Sequence, residues 1–169
     1  MKRITLIACS LATVLTAACA STPPDGSARA VLAPSSGSKV SGEVVFTSIS
    51  GGVRVEARAT GLTPGEHGFH VHEVGDCSAP DGTSAKGHFN PTGKAHGNST
   101  MGEHHAGDIP NLVADGSGVV RQRMDVMGMS LEGPTGIMGR AIVIHADPDD
   151  YKSQPAGNSG KRVACGVIR

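Results

Sequence analysis

Two stretches of the chain alternate apolar and polar side chains with a period of two. Val40-Ser-Gly-Glu-Val-Val-Phe-Thr47 and Val53-Arg-Val-Glu-Ala-Arg-Ala59 flank Ser50-Gly51-Gly52, and alternation on both sides of a glycine turn predicts an antiparallel hairpin. Similar short runs follow at Gly68 to Val74, Asn111 to Ala114, Gly118 to Met124, Ala141 to His145 and Val163 to Ile168, with turn sequences such as Asp115-Gly116-Ser117-Gly118 between them. Many short strands without βαβ spacing predict a sandwich or barrel. Two stretches carry no strand pattern, Asp76 to Pro110 and Ala146 to Lys161. Loops longer than about 12–15 residues in a compact domain are usually functional, so the chemistry is expected there.

The N-terminus follows a different pattern. Lys2 and Arg3 precede an apolar run from Ile4 to Ala18 that is too short to span a bilayer, which reads as an export signal removed from the mature protein. Leu15-Thr16-Ala17-Ala18-Cys19 resembles a bacterial lipobox, in which the cysteine becomes the lipidated N-terminus. Thr16 departs from the more usual Leu or Val, and Ala18-Cys19-Ala20 leaves cleavage by the ordinary signal peptidase as the alternative. Ser21 to Ser27, with Pro23, Pro24 and Gly26, reads as a tether. The organisation expected is a signal peptide over 1–18, a lipidated end and tether over 19–30, and one domain over 31–169. Its location would be the periplasm or cell envelope, with a lipid anchor at Cys19 holding it to a membrane.

Composition narrows the class further. The 169 residues include 24 Gly, 10 Pro, one Tyr, three Phe and no Trp, so the core is built mainly from Val, Ile, Leu and Ala. Lys plus Arg equals Asp plus Glu at 15 each, which leaves no basic stripe for nucleic acid. Of the four cysteines, Cys9 leaves with the signal and Cys19 goes to lipid, so Cys77 and Cys165 remain. In an oxidising compartment they are expected to form a disulfide, the alternative being two buried thiols. Closing so long a stretch of chain stabilises by up to about 4–5 kcal/mol in the chain-entropy account.

The eight histidines are the most informative residues. His70 and His72 lie two apart in an alternating stretch, so on a strand their side chains leave one face and converge on one ion. His145 ends another strand and offers a third nitrogen, meeting the pair across the barrel wall. In the long loop, His88, His96, His105 and Asp108 present three nitrogens and one oxygen, a set that suits closed, tetrahedral, structural zinc. Taken singly, each of these is more often an ordinary hydrogen-bonded or solvated histidine; a metal accounts for the set. His105 rather than His104 is chosen for its His-Ala-Gly-Asp spacing to Asp108, and His67 and His104 are read as exposed loop residues.

The runs Gly68-Phe-His-Val-His-Glu-Val-Gly-Asp-Cys77, Gly87-His-Phe-Asn-Pro91, Lys94-Ala-His-Gly97, His105-Ala-Gly-Asp108, Gly139-Arg-Ala-Ile-Val-Ile-His145 and Gly157-Asn-Ser-Gly-Lys-Arg-Val-Ala-Cys-Gly-Val-Ile168 resemble copper/zinc superoxide dismutase, in order, from about Val40 to the last residue. The resemblance implies an all-β fold, an eight-stranded Greek-key barrel of immunoglobulin-like sandwich type with two long functional loops. It implies one copper ion on His70, His72, His88 and His145, and one zinc ion on His88, His96, His105 and Asp108. His88 would bridge the two as an imidazolate and act in catalysis as a proton carrier. Asp149 matches a carboxylate linking a copper ligand to a zinc ligand, and Arg162 an arginine over the copper that attracts the anionic substrate superoxide. Lys152 and Lys161 are expected to add to that field. The activity implied is disproportionation of superoxide to dioxygen and hydrogen peroxide, protecting the cell envelope; a homodimer is possible in this family. The alternatives are a copper carrier or other non-catalytic metal-binding module of the same fold, and a structural lipoprotein that would leave six histidines without a reason.

Overall fold

Eight antiparallel strands form in the order β1 (Ser27–Pro34), β2 (Ser41–Ile49), β3 (Gly52–Thr60), β4 (Gly65–His72), β5 (Asp108–Ala114), β6 (Val120–Met127), β7 (Ala141–His145) and β8 (Arg162–Val167). The computed structural model describes residues 26–169; the expected signal peptide, Cys19 and the tether up to residue 25 lie outside them. The spatial order β5-β4-β7-β8-β1-β2-β3-β6 sets β3 beside β6 and β4 beside β7, the crossing connections of a Greek key. The two outermost strands, β5 and β6, approach each other and nearly close the barrel. Gln122 of β6 bridges this seam: its Nε2 donates to Asn111 O at 3.0 Å and its Oε1 accepts from Val113 N at 3.0 Å.

The alternating stretches become strands for the reason given by their pattern. On β3, Val53, Val55, Ala57 and Ala59 enter the core while Arg54, Glu56 and Arg58 face outward. The expected hairpin of β2 and β3 pairs from Ser41–Thr60 to Ile49–Gly52. β1 begins at Ser27, within the segment expected as a tether, and pairs with β2 from Ser27–Thr47 onward. Its inward residues Ala28 and Ala30 are fully buried. Alanine is a poor strand former, which is why the alternation there gave no strand signal.

Two faces of the β4–β7 pair set up the site. Phe69, Val71, Ile142 and Ile144 point into the barrel and join Phe46 and Leu112 in the main core. The intervening His70, His72 and His145 point to the outer face, where the loops over 73–107 and 146–161 cover them and bury all three. The three histidines therefore meet on the outer face of the barrel wall, on adjacent strands. Cys77 and Cys165 are disulfide-bonded across 88 residues, with Cα atoms 5.7 Å apart. The bond packs with Ala85, Ala141 and Val143 in a second, smaller apolar cluster, and so fixes the first loop to β8.

Candidate metal centre

His70, His72 and His145 each set one ring nitrogen against a fixed oxygen and leave the other facing the first cluster. His70 Nε2 is 2.8 Å from Asp149 Oδ2, while His70 Nδ1 is buried without a partner. His72 Nδ1 donates to Lys86 O at 2.9 Å and His145 Nδ1 faces Gly160 O at 3.3 Å. The Nε2 atoms of His72 and His145 then oppose each other at 3.4 Å. His88 stacks on His70 with ring centroids 4.0 Å apart. One ligand atom from each of His70, His72, His88 and His145 lies within 4.8 Å of all the others.

The second cluster shares His88. Its Nδ1 is 2.9 Å from Asp108 Oδ1, and its Nε2 is buried and unpartnered. His96 Nδ1 and His105 Nδ1 lie 3.1 and 3.4 Å from the same oxygen, both without a hydrogen-bond partner. Asp108 is oriented by the amides of Gly97 and His105, which donate to its Oδ2 at 3.1 and 2.8 Å. The His-Ala-Gly-Asp spacing serves this turn, in which His105 and Asp108 share one backbone loop. The ligand atoms of His88, His96, His105 and Asp108 again lie within 4.8 Å of one another.

Asp149 couples the clusters. Its Oδ2 takes His70 and its Oδ1 takes His96 Nε2 at 2.9 Å, so one carboxylate fixes the tautomer of a ring in each set. A Cβ at Gly157, where φ is +64°, would overlap that carboxylate, which explains a glycine there. Burial holds His70 and His145 neutral, pushed down to about 4 and about 3, and depresses His72 and His105 as well. Against its own burial, His96 is raised to about 9 by the neighbouring carboxylates of Asp108 and Asp149. Although burial opposes it, hydrogen bonds from the histidines hold Asp108 and Asp149 well below the usual carboxylate range.

A cavity of about 620 Å³ opens onto His72, His88 and His145. Arg162 lies in its wall, its Nη1 donating to Gly82 O and its Nη2 to Lys86 O, each at 2.6 Å. Lys86 O thereby serves both Arg162 and His72. Lys86 adopts φ 63°, ψ −150°, a strained conformation for a residue with a side chain, and it directs this carbonyl into the site. Lys152 and Lys161 are not among the lining residues.

The pattern of donors is matched by kinship. Residues 40–168 match the family model for copper/zinc superoxide dismutase. The chain belongs to the copper/zinc superoxide dismutase family. A copper/zinc superoxide dismutase of Aquifex aeolicus is 47% identical over 137 residues, covering 78% of this chain and 80% of the relative. One from Arabidopsis thaliana is 40% identical over 153 residues, covering 86% and 92%. The crystal structure of the clock protein EA4 superposes with a TM-score of 0.78 at 44% identity, covering 85% of this chain and 93% of that one. Copper and zinc are accordingly the metals of this superoxide dismutase, one ion of each per chain, and superoxide is its substrate.

Every residue expected to ligate a metal in this superoxide dismutase stands in one of the two clusters, and Asp149 stands between them. His67 departs from expectation: it is 2% exposed, on β4. Its Nδ1 lies 2.9 Å from His145 O and its Nε2 2.9 Å from Thr63 O. A bulge between His67 and Phe69 turns it out of the strand alternation, which no sequence pattern reveals. His104 stays in the loop, its Nδ1 on Gly102 O at 2.9 Å.

Two supporting residues were not singled out by the sequence reading. Gln154 clamps the backbone of His96, accepting from its N and donating to its O, each at 2.9 Å. Asn111 accepts from Asp149 N and donates to Asp149 O, each at 3.0 Å. Both are amides paired to backbone from another element, and no local spacing marks such a partner.

Proposed function

We propose that in this superoxide-disproportionating enzyme His70, His72, His88 and His145 hold the copper ion, and His88, His96, His105 and Asp108 hold the zinc ion. The observation that carries the assignment is the set of buried, unpartnered nitrogens, His70 Nδ1 and His88 Nε2 on one side and His96 Nδ1 and His105 Nδ1 on the other. Such atoms are costly unless an ion takes their lone pairs. Imidazoles alone suit copper, and three imidazoles with one carboxylate close a tetrahedral zinc site.

Bound copper supplies the one-electron couple by which one superoxide leaves as dioxygen and a second, with two protons, as hydrogen peroxide; zinc has no redox chemistry. Arg162, fixed by two carbonyls at the edge of the cavity, attracts the anion and orients it toward the histidines. Steering of this kind is long associated with the superoxide dismutases. His88 has its Nδ1 on the Asp108 side, so Nε2 is the atom that takes up a proton and hands it to the departing product. Asp149 keeps His70 and His96 in register, which makes it a positioning residue.

The test is superoxide turnover by the chain loaded with both metals, against the same chain loaded with zinc alone. Turnover only with copper supports the reading. Full activity without copper, or tight copper binding with no turnover, would overturn it, the second result favouring a copper carrier. The intact ligand set together with Arg162 supports the enzyme.

The N-terminal segment supports export and a lipid anchor at Cys19, and hence action in the periplasm or cell envelope against superoxide arising outside the cytoplasm. Mass spectrometry of the mature N-terminus checks this, a lipid-modified Cys19 being the expected species and an unmodified one supporting ordinary cleavage. The proposed homodimer rests on family resemblance and is checked by molar mass in solution.

A further inference from the structure

Among the described residues, the walls of the cavity over the copper histidines carry two charged side chains, Arg162 and Asp147. Asp147 is exposed, and its carboxylate forms no hydrogen bond or ion pair with the described residues. Its backbone is pinned, because Asp147 N donates to Ser159 O at 3.0 Å and Gly68 N donates to Asp147 O at 2.8 Å. The carboxylate rests on Gly160, where φ is +73° and any Cβ would overlap it. Gly160 O in turn faces the ring of His145 at 3.3 Å. A full negative charge is thus held against the backbone that supports a copper ligand, in the path of an anionic substrate. The other carboxylate near Arg162, Asp81, is outside the cavity wall and is engaged by the amide and hydroxyl of Thr83 at 3.0 and 2.6 Å.

We infer that Asp147 is a specificity-determining residue that screens anions by charge at the mouth of the copper site. The inference rests on the function proposed above. Repulsion scales with the charge of the incoming ion. Superoxide, a monoanion, is slowed slightly, while a dianion such as hydrogen phosphate meets twice the opposing energy and hence the square of the factor. Arg162 attracts both; Asp147 separates them. The carboxylate costs some rate and keeps abundant polyvalent anions away from the histidines that would hold copper.

The experiment compares the parent enzyme with Asp147→Asn and Asp147→Lys, all loaded with copper and zinc and normalised to bound copper. Three quantities are read: kcat/KM for superoxide against ionic strength, azide affinity by optical titration, and inhibition by phosphate at about pH 8, where it is mainly the dianion. For Asp147→Asn, kcat/KM and azide affinity should rise about twofold at low salt and phosphate inhibition should tighten about fourfold. Asp147→Lys should go further in the same direction, and all gains should shrink as salt rises. Glu132→Gln, in the turn after β6 and outside the cavity, should change nothing. Equal gains for phosphate and azide, no gain in either Asp147 variant, or the same gain in Glu132→Gln would overturn the inference. An inactive parent enzyme would instead overturn the proposed function.

Discussion

The Nε2 atoms of His72 and His145 face each other at 3.4 Å with no proton available to either, because each ring already directs its Nδ1 to a carbonyl, Lys86 O and Gly160 O. Two lone pairs at that distance repel unless a cation lies between them. Replacing His145 with Ala removes one of them and leaves the second cluster intact. Copper affinity should fall by more than the roughly 10–100-fold seen for loss of a mere supporting partner, with activity falling in step and zinc retained. Metal analysis with turnover measurement checks this; full copper and activity in His145→Ala would sink the copper assignment.

Asp149 is bonded to one ring of each set, so its loss should be felt in both. Asp149→Asn keeps the size but replaces one acceptor oxygen with a donor amide opposite an imidazole N–H. Affinity for each metal should drop about 10–100-fold, as read by competition with chelators. A drop confined to one metal would show that the carboxylate does not couple the sites.

The metal-free protein should be most stable near about pH 6.5. His70 and His145, pushed down by burial to about 4 and about 3, stay neutral in the folded chain while the unfolded chain takes up protons, so stability falls as pH drops from about 6.5. Asp108 and Asp149 act in the same direction, their contribution present above about pH 4 and lost below it as they protonate. His96, raised to about 9, contributes fully below about 6.5 and loses its contribution as pH climbs to about 9. Denaturant unfolding of chelated protein across this range checks both limbs. In the zinc-loaded form the alkaline limb should vanish, because the metal replaces the proton on His96.

Reducing the disulfide, or replacing Cys77 and Cys165 with Ser, frees the loop that carries Gly82 and Lys86, the two carbonyls holding Arg162. Stability should fall by up to about 4–5 kcal/mol. The salt dependence of kcat/KM should flatten as Arg162 loses its fixed position, with zinc content unchanged. Thermal unfolding and rate measurements at several ionic strengths read the two effects.

Gln122→Ala should open the seam between β5 and β6 without touching a ligand. Two backbone bonds to Asn111 and Val113 go with it, and a loss of about 1 kcal/mol is expected, since water can replace part of the bonding. Denaturant midpoints check this, and unchanged metal content separates it from damage to the site.

The sequence by itself determined much of this protein. Strand alternation at Val53 to Ala59 separated core from solvent, the spacing of His70 and His72 put two histidines on one face, and the expectation of an oxidising compartment pointed to a bond between Cys77 and Cys165. The first two follow from a local period, because the side-chain geometry of a strand repeats every two residues, and the third from a count of cysteines. Tertiary structure decided what has no local period. Ala28 and Ala30 became a strand only because β2 and β8 offered β1 a place between them. A bulge buried His67 behind His145. Gln154, Asn111 and the carbonyl of Lys86 became supports of the site because separate loops converge there. Asp147 came to face the same cavity as Arg162, fifteen residues further along the chain. Hydrogen bonds and fields act through space, so only the folded chain brings these partners together.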